Sequence, residues 1–180
     1  EVVHAVKSGH AELGLLGAAS SPDTSGLNVL PIEDQPLVLI SPPNTDGVAA
    51  GKDTQDGGPA TASLARTDLA GMRLIVSKQG SLMRQLVDDV LASGVDVRIV
   101  VEVEHRTSIL PMVLAGIGHA VMPSSWTPLA RRAGARVRAI EPPSVLRIAL
   151  VTRKAALTPG AAAFLACVES YVKGIDPSAS

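Results

Sequence analysis

Two short polar stretches carry the side chains best suited to hold a small molecule. Lys78-Gln79-Gly80-Ser81 follows one apolar run, and Glu104-His105-Arg106-Thr107-Ser108 follows the next. A serine or threonine at a helix start can cap the helix, and glycine lets a ligand approach the backbone. Arginine can hold a carboxylate through two parallel hydrogen bonds. Each stretch precedes a helix, whose N-terminal N–H groups favour an anion.

The two stretches sit in a repeated strand-to-helix pattern. Strands that alternate with helices at this spacing pair in parallel, so their carboxyl ends share one edge of the sheet. In open α/β sheets that edge is where ligands bind. The predicted elements are strand Met72–Ser77, helix Leu82–Ala92 closed by Gly94, strand Val97–Val103, helix Ile109–Ala115 and strand Ala120–Met122.

Each candidate residue also has a purely structural interpretation. Ser81 could be a plain helix cap, and Arg106 could be a solvated surface arginine. Arg84 stands where a capping box would want Glu or Gln, and a cation there is unfavourable, which suggests a ligand. Lys78 would raise the local concentration of anions. Thr107 or Ser108 would cap the second helix, His105 is placed to meet a ligand, and Pro123 would shape the floor of the site.

Apolar periodicity and breakers predict the remaining elements. Residues 44–67 are rich in Gly, Ala, Asp, Thr and Ser and predict a mobile surface loop, while residues 176–180 predict a frayed tail. Thr158 is predicted to cap the last helix, whose apolar face is Phe164, Leu165, Val168, Tyr171 and Val172. The others are a helix end at Glu1–Ser8, strands Leu13–Leu16, Leu27–Ile32 and Pro36–Ile40 with a turn at Glu33-Asp34-Gln35, helix Trp126–Ala133, and strands Val137–Ile140 and Arg147–Thr152.

Composition limits the class of protein. The 180 residues are 46% hydrophobic and 18% charged with a net charge of -1, which indicates a globular chain with no basic face for nucleic acid. The single Cys167 excludes an internal disulfide and fits a reducing compartment. Thr107 to Ala130 has no Lys, Arg, Asp or Glu, yet prolines and glycines interrupt it, so a buried helix, turn and strand explain it better than a membrane span. The start at Glu1, without Met or signal peptide, indicates a piece of a longer protein.

Other chemistries find little support. The four histidines, at positions 4, 10, 105 and 119, have no metal-ligand spacing. There is no G-x-S-x-G nucleophile elbow, and the glycines of AGIG and LGLLG do not form a dinucleotide or phosphate loop. We therefore predict no catalysis, no metal and no cofactor.

Three segments, in order, resemble the effector-binding domain of LysR-type transcriptional regulators. They read TDLAGMRLIVSKQGSLMRQLVDDVLASG, VEVEHRTSILPMVLAGIGHAVMP and IALVTRKAALTPGAAAFLACV. SGHAELGLLG and GLNVLPIEDQPLVLISPP, earlier in the chain, fit the same domain. The resemblance covers nearly the whole chain except residues 44–67, and it depends on the ordered set because no single motif is diagnostic.

The resemblance implies an α/β, periplasmic-binding-protein-like (type 2) fold. Two α/β subdomains would be joined by neighbouring crossing strands, PLVLISPP and RIALVTRK, with a small molecule held between them. The first subdomain would comprise residues 1–66 and 146–175, and the second residues 69–143. Family members open this domain with a strand and a helix ahead of the position of Glu1, so the first subdomain is expected to be incomplete.

The resemblance also implies a function. Effectors of the family contact the second subdomain where Ser77, Gly80 and Ser81 stand here. The chain would sense a small anionic metabolite within a cytoplasmic homo-oligomer, a dimer or tetramer, and would meet DNA only through an N-terminal helix-turn-helix absent from this sequence. The alternatives are a fragment of an extracytoplasmic solute-binding protein of the same fold, or a small two-lobed α/β enzyme. The expected effector-binding residues are Ser77, Lys78, Gly80, Ser81, Arg84, His105, Arg106, Thr107, Ser108 and Pro123.

Overall fold

The computed structural model of the protein describes residues 1–19, 23–43, 63–92 and 94–175. The helices are α1 (Val2–Lys7), α2 (Leu82–Leu91), α3 (Ile109–Leu114), α4 (Thr127–Arg132) and α5 (Pro159–Ile175). The strands are β1 (Leu13–Ala18), β2 (Leu27–Ser41), β3 (Leu64–Ala65), β4 (Arg73–Ser77), β5 (Arg98–Val103), β6 (Ala120–Pro123), β7 (Arg136–Glu141) and β8 (Val145–Arg153). Short 3-10 helices span Arg66–Leu69, Arg106–Ser108 and Ser124–Trp126.

The chain divides into two units, Glu1–Asp34 with Arg147–Ser180, and Gln35–Leu146. It passes from the first to the second within β2 and returns within β8, and these two strands are neighbours in the sheet. The prediction of two neighbouring crossing strands is confirmed.

One predicted turn does not exist. The sequence predicts that Glu33-Asp34-Gln35 separates two strands, but β2 runs through it as one strand of 15 residues. Glu33 and Asp34 are exposed, so their polar side chains remain in water while the backbone stays extended. Polar residues therefore do not bend the strand here, because β2 is hydrogen-bonded to β8 and, from Leu37 onward, to β6 and β7.

In the second unit, β4 and β5 form a separate two-stranded parallel sheet, which a single bridge connects to the start of β6. Strands β4 and β5 pair in parallel from Arg73↔Arg98 to Ser77↔Val103, and a parallel bridge joins Leu74 to His119, just before β6. The later half of β2 pairs antiparallel with both β6 and β7. The predicted parallel arrangement of the three central strands is therefore confirmed.

One face of this sheet carries the core that supports α3 and α4. Ile75 of β4 and Val103 of β5 are buried against Ile109 and Val113 of α3, and Ala130 of α4 joins the same cluster. Burying each large apolar side chain contributes about 1.5–3 kcal/mol. This packing fixes the position of α3 after the turn that follows β5.

The first unit is built on β8. Strand β1 pairs antiparallel with it from Leu13↔Thr152 to Ala18↔Arg147, and α1 contributes Val6 to a small core with Leu27 and Val151. Thr158 caps α5, as predicted, by accepting from Ala161 N at 3.4 Å.

The predicted apolar face of α5 is exposed or only half-buried. Phe164 is 53% exposed and Tyr171 63% exposed, and none of the helix residues whose burial is described is fully buried. Cys167, on the same helix, is also exposed. The 3.6-residue periodicity correctly indicated a helix, but periodicity does not say what, if anything, covers its apolar side.

The structure places residues 35–43 and 63–66 in the second unit, whereas the sequence placed them in the first. The reason is strand pairing, since the later half of β2 bonds to β6 and β7, and β3 pairs in parallel with β7 at Leu64↔Ile140. Residues 44–62 of the predicted loop and the predicted tail 176–180 lie outside the described residues. The end of the predicted loop is instead β3 and the 3-10 helix that follows it.

Candidate functional site

The turn after β4 forms as its residues require. Ser81 N donates to Lys78 O at 3.2 Å, and Gly80 between them has a φ of +81°, a conformation that residues with a Cβ rarely adopt. Ser81 then begins α2, its Oγ accepting from Arg84 N at 3.2 Å. The predicted cap is confirmed, and the turn is fixed between strand and helix.

The turn after β5 is a single 3-10 turn that leads into α3. Ser108 N donates to His105 O at 3.0 Å, and α3 begins at Ile109. Ser108 occupies the N-cap position, but neither its hydroxyl nor that of Thr107 caps the helix. The predicted side-chain cap is wrong, because Ser108 has a helical backbone conformation and the N3 residue, Pro111, has no N–H to donate to its hydroxyl. The Thr107 hydroxyl therefore has no capping role.

Direct contacts tie the two turns together. Lys78 N donates to Val103 O at 2.9 Å, and Lys78 Nζ lies 3.3 Å from Glu104 Oε1. Both side chains of this ion pair are mostly exposed, so it adds little stability. The backbone bond, by contrast, sets the spacing between the turns.

The two turns converge on one cavity of about 510 Å³, within the usual range for small-molecule sites. Every lining residue belongs to the second unit. The lining consists of Ser77, Ser81, Leu82, Met83, Glu104, His105, Arg106, Thr107, Trp126 and Leu146.

Half of the predicted site residues line this cavity, namely Ser77, Ser81, His105, Arg106 and Thr107. Gly80 shapes the turn but does not line the cavity, and Lys78 forms an ion pair with Glu104, which does line it. Ser108 and Pro123 also lie outside the lining, Pro123 being buried at the end of β6 opposite Leu37.

Arg84 forms ion pairs with two carboxylates of the protein itself. Its Nε donates to Asp88 Oδ1 at 2.8 Å and its Nη1 to Glu102 Oε2 at 3.1 Å, and its side chain is 10% exposed. The hydrogen bond to Asp88, with the charges of both carboxylates, raises the pKa of the guanidinium. The predicted ligand role of Arg84 is therefore unsupported, because α2 and β5 already supply its anions.

Sequence reasoning missed the apolar part of the cavity. Leu82 and Met83 follow the cap residue, and Leu146 lies in β8. Trp126 belongs to the 3-10 helix after β6, which Ser125 anchors by donating to Gln35 Oε1 at 2.9 Å. The position of Trp126 in the sequence could have predicted its role, because it follows the carboxyl end of the third predicted strand and therefore lies at the same edge as the two turns.

Three features of the cavity can bind an anion, although the carboxylate of Glu104 also lines it. Among the described residues, no hydrogen-bond or ion-pair partner is found for the Arg106 guanidinium. Ser81 Oγ accepts from the α2 backbone, so its hydroxyl hydrogen is available to a ligand oxygen. The positive end of the α2 dipole adds a positive potential that also attracts an anion. Together these groups can bind a carboxylate or a similar anion.

His119 lies away from this cavity. It is half-buried just before β6, with Nδ1 2.9 Å from Ser41 Oγ. Burial, followed by the charges of Arg138, Arg136 and Arg73, lowers the pKa of its imidazole. Within the ranges the structure describes, no cluster of side chains could hold a metal ion. Nor does any helix there have the length and apolarity to cross a bilayer.

A profile described as LysR substrate binding domain matches residues 1–173. An uncharacterized HTH-type transcriptional regulator of Shigella flexneri, YfeR, is 36% identical over 87 residues, which are 48% of this chain and 28% of that protein. The matched stretch thus spans less than a third of that regulator.

Solved structures share the fold. The regulatory domain of CcmR from Synechocystis PCC6803, in complex with 2-PG, superposes with a TM-score of 0.73 at 22% identity, covering 96% of this chain and 78% of that one. The effector-binding domain of QuiR in complex with shikimate gives 0.69 at 22% identity, covering 97% and 78%. Full-length CbnR in a complex with its target DNA gives 0.67 at 21% identity, covering 96% and 57%. The predicted periplasmic-binding-protein-like fold is confirmed.

Proposed function

Because the chain belongs to the LysR substrate-binding-domain family, we propose that it is the effector-sensing domain of a transcriptional regulator. Its effector is a small anionic metabolite, which binds in the cavity at the carboxyl ends of β4 and β5. The family assignment does not favour the alternative of a solute-binding protein fragment.

The observation that carries this proposal is the pairing of Arg106 and Ser81 on one cavity. An arginine with no partner among the described residues and a capping serine with a free hydroxyl hydrogen both face the same space. A ligand carboxylate would accept two hydrogen bonds from Arg106 and one from Ser81. Ser77, Thr107 and His105 supply further polar contacts, and the apolar walls exclude water from the ligand's carbon skeleton.

In the complete protein, the domain acts through partners that this chain does not include. We propose a cytoplasmic homo-oligomer with N-terminal helix-turn-helix domains that bind DNA. YfeR is named an HTH-type regulator, and CbnR has been solved with its target DNA. The effector is bound without being chemically changed. It alters transcription by preferring one arrangement of the regulator over another.

The test uses Trp126, the only tryptophan of the chain, as a reporter in the cavity wall. A panel of small carboxylates and phosphates is titrated against the 180-residue chain while tryptophan emission and heat of binding are followed. We expect saturable binding of at least one anion, and no binding of the matching uncharged amide. Arg106→Gln should weaken that binding by about ten- to a hundredfold, as expected for loss of a charged hydrogen bond.

Arg98→Gln is the matched control, because Arg98 is an exposed arginine at the start of β5 and does not line the cavity. It removes the same charge from a site outside the cavity, so it should leave the affinity nearly unchanged. Equal affinities for the wild type and Arg106→Gln, or no binding of any anion to the wild type, would contradict the proposal.

A further inference from the structure

The cavity contains one carboxylate, from Glu104, beside its arginine. Glu104 is the first residue after β5, two positions before Arg106, and both line the cavity. An anion held by Arg106 therefore lies near a fixed negative charge. That arrangement is unexpected for a site that selects ligands by negative charge alone.

Only one oxygen of Glu104 is engaged. Lys78 Nζ lies 3.3 Å from Oε1, and no described residue donates a hydrogen bond to Oε2. The Lys78 and Glu104 side chains are 62% and 70% exposed, so water screens the pair and Lys78 offsets the carboxylate only in part. Glu104 Oε2 is thus an acceptor that a ligand hydroxyl can use.

The rest of the cavity lining is apolar and favours the carbon frame of a ligand over a charged group. Leu82, Met83, Trp126 and Leu146 form an apolar side of the cavity. An indole face and aliphatic side chains pack well against a ring or a compact carbon frame. A second ionised group placed there would lose its hydration without gaining a partner.

We infer that Glu104 sets the specificity of the cavity. It selects compounds with a single carboxylate, an apolar frame and a hydroxyl group, and it excludes dicarboxylates of the same size. The carboxylate binds at Arg106 and Ser81, the frame lies on the apolar wall, and the hydroxyl donates to Glu104. The inference rests on the function proposed above and adds the chemical class of the effector.

Three cyclohexane acids, which do not absorb where tryptophan is excited, separate these contributions. They are cyclohexanecarboxylate, 3-hydroxycyclohexanecarboxylate and cyclohexane-1,3-dicarboxylate. With the 180-residue chain at low ionic strength, Trp126 emission should give the tightest binding for the hydroxy acid and the weakest for the dicarboxylate. We expect about tenfold between them, since two like charges at short range in a partly solvated site cost that much.

Glu104→Gln keeps the shape and removes the charge. It should strengthen binding of the dicarboxylate severalfold, strengthen binding of cyclohexanecarboxylate by a smaller factor and reduce the advantage of the hydroxy acid. Glu169→Gln, on α5 and outside the cavity lining, makes the same change in net charge and should alter none of the three affinities.

The outcomes separate this inference from the proposed function. The selectivity assigned to Glu104 is wrong if the wild type binds the dicarboxylate as tightly as the hydroxy acid. It is also wrong if Glu104→Gln leaves the ratio of these two affinities unchanged. In both cases the proposed anion sensing stands. If none of the three acids binds, the ligand class is wrong, and the broader anion panel still decides the proposed function.

Discussion

His119 shows how its neighbours set the charge of a single residue. Its imidazole is half-buried and hydrogen-bonded to Ser41, and three arginines contribute positive potential around it. Both effects disfavour the imidazolium form, so the folded protein holds His119 neutral at a pH where a free histidine begins to protonate.

This gives a pH dependence of stability. The pKa of His119 is lower in the folded state than its usual value of 6.5. Its contribution to the free energy of unfolding is therefore fully present above pH 6.5 and is lost as the pH falls from 6.5 toward the pKa of the folded state. Denaturant unfolding between about pH 5 and pH 8 should show this loss in the wild type and a flatter profile for His119→Gln. Parallel profiles for the two proteins would mean that His119 does not titrate differently on folding.

Arg84 and Arg106 mark the limit of sequence reasoning at this scale. Both follow a strand by a few residues, and both were predicted to meet a ligand. Arg84 is occupied by Asp88, four residues later in α2, and by Glu102 of β5, which is 18 residues away in sequence. The pair with Asp88 follows from helix periodicity and could have been predicted, whereas the contact with Glu102 depends on long-range packing.

At the scale of elements, the sequence located the strand-turn-helix units well. Strands β4 and β5 and helices α2 and α3 begin and end within one residue of the prediction, because breakers such as Gly80 and Gly94 mark their limits. It failed at Glu33-Asp34-Gln35, where polar residues imitate a turn inside β2. It also could not show that Phe164 and Tyr171 on the apolar face of α5 are exposed, since burial depends on which other elements surround the helix.

Gly118 allows β4 and the chain leading into β6 to approach closely. A Cβ at this position would lie 2.7 Å from Arg73 O and 3.2 Å from Val100 Cγ2. Since the nearest atom belongs to the backbone, the neighbour cannot rotate away. We expect Gly118→Ala to lower the free energy of unfolding by about 1–3 kcal/mol, as overpacking does.

Gly160→Ala is the control for this prediction. Gly160 lies in α5, and a Cβ added there would meet nothing within 4 Å beyond its own helix backbone and chain neighbours. Alanine at this position should therefore be neutral or stabilising by up to about 1 kcal/mol. Urea unfolding of both variants measures the difference. Equal stabilities would show that the junction between β4 and β6 is looser than these distances indicate.

At the scale of the whole molecule, two strands carry the chain between its units. The cavity lies entirely in one unit, Gln35–Leu146, while α5 belongs to the other. A sensor of this family must convert occupancy of a site into a different arrangement of the protein, which requires the ligand to favour one arrangement. Ligand binding and the orientation of the units are therefore separate quantities that can be measured separately.

The exposed Cys167 makes the second quantity measurable. It is the only cysteine of the chain and lies in the first unit, whereas the only tryptophan lies in the second. A thiol-coupled fluorescent acceptor on Cys167 would receive resonance energy from Trp126 without any substitution in the protein. We expect the transfer efficiency, corrected for the emission of unlabelled protein, to change with the same affinity as ligand binding. An unchanged efficiency at saturation would show that the ligand binds without reorienting the units. Trp126 and Cys167 thus give the unmodified sequence both the fluorescent donor and the attachment point needed to measure a distance within the molecule.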